Sequence, residues 1–114
     1  MKLYFYFLVS PYRGKPKIEF EEAEVIEKPK TYYLQEKHPE NYYGCYFRKD
    51  NIGKILTEYN KMIVLTEPDA EKAMLMFRNY INQSIVRARE EIENLEEKLN
   101  AVNEFLQSDG VEAE

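Results

Sequence analysis

Tryptophan is absent from this 114-residue chain, and histidine and cysteine occur once each, as His38 and Cys45. One cysteine excludes an internal disulfide. With a single histidine beside it, the chain also lacks the ligands for a zinc site and the partners for a thiolate–imidazole couple. No stretch approaches the roughly 20 consecutive apolar residues that a membrane span needs. A glycine-rich phosphate loop is missing too, since Arg13-Gly14-Lys15 is one glycine between two charges. Adjacent acids such as Glu90-Glu91 and Glu96-Glu97 fall in a helical stretch, where neighbours diverge by about 100°. They flank an apolar seam and do not converge as an acid and a base. No catalytic, cofactor-binding or metal-binding residue is therefore expected, and the chain reads as non-enzymatic. His38, in a polar turn, is expected to be a solvent-exposed bystander, and Cys45 a small buried side chain.

What is present is tyrosine and charge. Ten Tyr and six Phe make up most of the large apolar surface, and the hydrophobic and charged shares, 44% and 32%, are those of a globular chain. The length suits one domain. Tyrosine favours strands and interfaces, where its ring packs while its hydroxyl stays wet. Met1 to Val9 has the lysine and apolar run of a signal peptide. It also carries four aromatics, and Pro11, Tyr12 and Arg13 follow without a small-residue cleavage site. It reads instead as a buried central strand of a protein of the cytoplasm. Residues 1–66 hold eleven Lys/Arg against nine Asp/Glu, a net of +2, whereas residues 67–114 hold five against twelve, a net of −7.

Residues 1–66 read as an antiparallel, tyrosine-rich sheet of five or six strands, because the connections are too short for helical crossovers. After the loop at 10–16, alternation resumes at Lys17, with Ile18 and Phe20 on one face and then Ala23 and Val25 on the other. That change of parity predicts a bulge near Glu21-Glu22. Further strands are expected at 31–34, at 42–48, at 54–59 and at 62–66, with Tyr42, Gly44 and Tyr46 sharing a face in the second of these. From residue 67 to 107 nothing interrupts a helix. Thr66 is a candidate cap, and neither Pro nor Gly occurs between Pro68 and Gly110. About 40 helical residues extend about 60 Å, roughly twice the width of such a sheet. Residues 108–114 read as an acidic disordered tail.

Apolar residues recur along this helix at spacings of three and four. The face is wide as far as Ile81, which suits packing on a sheet, with Met74, Phe77 and Ile81 expected against Phe5 and Phe7. Beyond Ile85 it narrows to a coiled-coil-like seam of Ile92, Leu95, Leu99, Val102 and Leu106. This seam is the candidate interface for a protein partner, either a second copy or a host protein. The glutamates along it oppose a parallel pair, so self-association is expected to be antiparallel or weak and to strengthen with salt.

Tyr42, Tyr43 and Tyr46 lie close in sequence to Arg48, Lys49 and Lys54. Aromatics interleaved with bases can stack nucleobases and hold phosphates, so these six residues form a candidate ligand or partner surface for a nucleotide or nucleic acid.

Three segments also carry a resemblance: Phe20-Glu21-Glu22-Ala23-Glu24-Val25-Ile26-Glu27-Lys28-Pro29-Lys30-Thr31-Tyr32, Phe47-Arg48-Lys49-Asp50-Asn51-Ile52-Gly53-Lys54 and Glu67-Pro68-Asp69-Ala70-Glu71-Lys72-Ala73. The chain resembles small uncharacterised proteins encoded in phages and prophages of low-GC Gram-positive gut bacteria. The resemblance implies a small cytoplasmic accessory protein and supplies no site residue. By analogy, such proteins are often inhibitors that bind a host protein or its signalling nucleotide. The leading expectation is thus a non-enzymatic accessory protein acting as a self-associating interaction module. The alternative is an anti-defence binder of a nucleotide signal or nucleic acid through the Tyr/Lys/Arg-rich sheet face.

Overall fold

A computed structural model describes residues 1–35, 39–42, 44–57 and 60–108. The described residues form an α+β arrangement of six antiparallel strands followed by one long helix. The strands are β1 (Lys2–Val9), β2 (Lys17–Glu27), β3 (Thr31–Leu34), β4 (Tyr46–Arg48), β5 (Ile55–Leu56) and β6 (Lys61–Leu65), and the helix is α1 (Ala70–Ser108). Their order across the sheet is β4-β3-β2-β1-β6-β5. Two compact units are present, Met1–Phe77 and Arg78–Glu114. His38, Tyr43 and the tail 109–114 lie outside the described residues.

The apolar run Met1–Val9 is central, as its lack of a polar face requires: β1 pairs with β2 on one side and with β6 on the other. Its two faces bury different clusters. Leu3, Phe5 and Phe7 point to one side, together with Val25, Phe47 and Val64. Tyr6 points to the other, with Ile63, Leu65, Ala73 and Phe77. In a flat sheet, β1 and β4 would be about 14 Å apart, three strand spacings. The rings of Phe5 and Phe47 are nevertheless 6.1 Å apart, so the sheet curls around the first cluster.

Several sequence expectations need correction. β2 carries no bulge near Glu21-Glu22, because its pairing with β1 is continuous from Lys2↔Glu24 to Val9↔Lys17. The parity of its apolar residues changes because the sheet is covered on both sides. Phe20 packs on Tyr6, with ring centroids 5.0 Å apart, while Ala23 and Val25 serve the opposite cluster. For the same reason Phe77 meets Tyr6, Ile63 and Leu65 and does not join the cluster of Phe5 and Phe7.

The strand expected at 42–48 is shorter, only Tyr46–Arg48, and the one at 54–59 is only Ile55–Leu56. A 3-10 turn at Lys49–Asn51 leads back towards the sheet. There Gly53, at φ 73°, donates its N–H to the Val64 carbonyl at 2.9 Å, a backbone conformation that few other residues adopt cheaply. Asp69, not Thr66, caps the helix. Its Oδ1 accepts the Lys72 N–H at 3.0 Å, and its own N–H donates to the Tyr6 hydroxyl at 2.9 Å. The helix start is thereby tied to the central strand.

The segment 39–42 is held over the first cluster by two carboxylates of β2. Glu21 Oε1 accepts the Glu40 N–H at 2.9 Å, and Glu19 Oε2 accepts from the Asn41 amide. Lys17 and then Asn41 hold the Glu19 carboxyl below its ordinary value, by hydrogen bonding to its ionised form. A carboxyl lowered on folding stabilises the native state above its unfolded value, and this contribution disappears as pH falls through the folded one. We expect Glu19→Gln to lose part of the acid-side rise of melting temperature with pH. An unchanged profile between acid and neutral pH would show that Glu19 is not linked to folding.

Candidate functional site

The six-residue surface expected from the sequence does not assemble as one site. Tyr42 turns onto the buried cluster, its ring 5.5 Å from Phe5 and 6.0 Å from Phe47. Its hydroxyl donates to the Tyr46 carbonyl. This course passes close over Gly44, where an added Cβ would come within 2.6 Å of the Tyr42 hydroxyl. Tyr43 lies outside the described residues. Lys49 is engaged: its ammonium donates to Glu27 Oε2 at 2.6 Å and stands 5.2 Å from the centre of the Tyr32 ring. Lys54 is exposed in the turn before β5. Cys45 is exposed, against the expectation of a buried side chain, because the segment preceding β4 is not in the ladder that would have covered it.

Tyr46 and Arg48 remain, both exposed, and the structure adds Tyr33 to them. The registers Ile26↔Tyr33 and Tyr33↔Tyr46 put Ile26, Tyr33 and Tyr46 in one row across β2, β3 and β4. Each is nearly half exposed, at 47%, 45% and 48%, and the two tyrosine rings are 5.8 Å apart. Lys28 and Lys30, in the turn between β2 and β3, border a shallow depression with Tyr33. Sequence reasoning missed Tyr33. Its signal was alternation within Thr31–Leu34, where Tyr32 is buried and Tyr33 must face the other way.

A cavity of about 700 Å³ lies among residues of the two edge strands β4 and β5 and of the segment 41–44. Phe47, Leu56 and Met62 contribute apolar surface, and Asn41, Asn51 and Asn60 contribute amides. Arg48 is the only charged group among its described lining residues. This lining offers hydrogen bonds and one positive charge.

In α1, all five seam residues are exposed: Ile92, Leu95, Leu99, Val102 and Leu106 keep between 48% and 58% of their surface. Phe105, at 54%, belongs beside them and was overlooked because it falls next to the three-four spacing, not on it. The helix runs without interruption through Asn82, Gln83 and Ser84, where Ser84 Oγ donates to the Tyr80 carbonyl one turn back. No helix among the described residues is long and apolar enough to cross a membrane. No family model, no curated protein and no solved structure matches this chain.

Proposed function

We propose that this chain is a non-enzymatic interaction module that self-associates through its C-terminal helix, in the manner of a small accessory protein of the phage type that its sequence resembles. One observation carries the reading: the apolar stripe from Ile92 to Leu106 is solvent-exposed along its whole length. Helices of this kind draw most of their stability from packing of the apolar face, and an uncovered stripe this regular is the mark of a contact surface. Placing Ile85, Ile92, Leu99 and Leu106 at a, and Ala88, Leu95 and Val102 at d, puts Glu91 and Glu96 at flanking positions. In a parallel pair those two acids face each other across the interface and repel.

Sedimentation velocity tests the reading. The intact chain is expected to associate, and Leu95→Glu with Leu99→Glu to sediment as a monomer with an unchanged far-ultraviolet spectrum of its sheet. A wild-type chain that stays monomeric at high micromolar concentration overturns it.

A second reading, a binder of nucleotides or single-stranded nucleic acid, is supported by the Tyr33–Tyr46 pair beside Lys28, Lys30 and Arg48. It stands second because the chain carries a net charge of −5, concentrated in its helical half, which repels a phosphate backbone.

A further inference from the structure

We propose that the Ile26–Tyr33–Tyr46 face is the docking surface for the acidic helix seam of a second copy, so that two chains exchange helices reciprocally. The inference rests on the self-association reading and names the surface that receives the seam.

The face has the apolar half of an interface. Ile26, Tyr33 and Tyr46 form one cross-strand row, each nearly half exposed. Rigid, amphipathic tyrosines are favoured anchors in protein interfaces. Its charge is also of the right sign. Among the described residues, Lys28, Lys30 and Arg48 make no ion pair. The acids nearby on β2 are already paired: Glu22 with Lys2, Glu24 with the terminal amino group and Glu27 with Lys49. The residual charge of the face is therefore positive.

The helix supplies the complement. Its seam is apolar, and Glu90, Glu91, Glu93, Glu96 and Glu97 border it, with Lys98 the only base between Glu90 and Glu104. Seam against seam brings acid close to acid, whereas seam against this face brings acid to unpaired base. Reciprocal exchange closes a two-fold dimer in which both apolar surfaces of each chain are covered.

The two geometries differ in the sign of their salt dependence. Acid meeting acid associates more tightly as salt screens repulsion, and acid meeting base less tightly as salt screens attraction. The full-length chain and two variants decide between them by sedimentation. One variant reverses the face, Lys28→Glu with Lys30→Glu and Arg48→Glu. The other charges the seam, Leu95→Glu with Leu99→Glu. Each alone is expected to be monomeric. Mixed together they are expected to form a heterodimer, because the intact face of one meets the intact seam of the other. The wild-type dimer is expected to weaken with added sodium chloride.

If the face variant still dimerises, or the dimer strengthens with salt, the face is not the receptor while self-association through the seam survives. If the seam variant still dimerises, or the wild type never does, both readings fail. Tyr33→Ser with Tyr46→Ser, folded by circular dichroism, repeats the face test without altering charge. Binding of an oligothymidylate that the face variant loses, with self-association unaltered, assigns the surface to nucleic acid and overturns the proposal.

Discussion

Phe5→Ala is expected to lower the unfolding free energy by about 3–5 kcal/mol, the usual range for truncating a core aromatic. Domains of this kind hold only about 5–15 kcal/mol in total, so the variant should lose a large part of its stability. Phe5 is fully buried on the central strand. Its ring meets Phe7 at 5.9 Å, Tyr42 at 5.5 Å and Phe47 at 6.1 Å, which joins β1, the segment 39–42 and β4 across the curl of the sheet. No single neighbour can move into the space without breaking another of these contacts, so the cavity should persist. Urea unfolding measures the effect. Tyr46→Ala, on the half-exposed face, provides the contrast and should cost far less. A loss below about 1 kcal/mol for Phe5→Ala, within the range of a surface change, would mean that β4 does not close over β1.

Phe77→Ala should be comparably damaging, again by about 3–5 kcal/mol, but through the opposite face. Phe77 is 4% exposed in the cluster of Tyr6, Ile63, Leu65 and Ala73, and the Tyr6 hydroxyl accepts the N–H of Asp69 where the helix begins. Removing the ring loosens both the second cluster and the helix start. Double-mutant cycles separate the faces. Phe77→Ala combined with Ile63→Val should depart from additivity by about 0.5 kcal/mol or more, as for residues in contact. Combined with Phe47→Leu it should add within about 0.5 kcal/mol, because the two residues belong to different clusters. Coupling to Phe47 and none to Ile63 would place the helix on the wrong side of the sheet.

The Glu21-Glu22 region shows how periodicity misleads. Alternation is read on the assumption that one face is buried, and a change of parity then implies an extra residue. In this sheet both faces have cover. Phe20 is half covered by Tyr4 and Tyr6 on one side, while Ala23 is buried on the other, and the register never breaks. The tyrosine surface misled in a different way. Tyr42 was placed by alternation with Tyr46, but the segment preceding β4 is not a strand. Nothing local in Asn41-Tyr42 indicates that its ring crosses to Phe5 and Phe47.

By itself, the sequence determined that a short-connected antiparallel sheet precedes one long helix, that Met1–Val9 lies at the sheet's centre, and where the helix seam runs. These features depend on local pattern: apolar runs, three-four spacing and the absence of Pro and Gly are properties of neighbouring residues. Only the tertiary structure decided which face of the sheet each aromatic serves. It also brought Tyr33 together with Tyr46, tied Lys49 to Glu27, and made Asp69 the helix cap that Tyr6 holds. The physical reason is that sheet curl and the covering of both faces are set by contacts between strands far apart in sequence, such as Phe5 with Phe47, and such contacts leave no periodic trace in the chain.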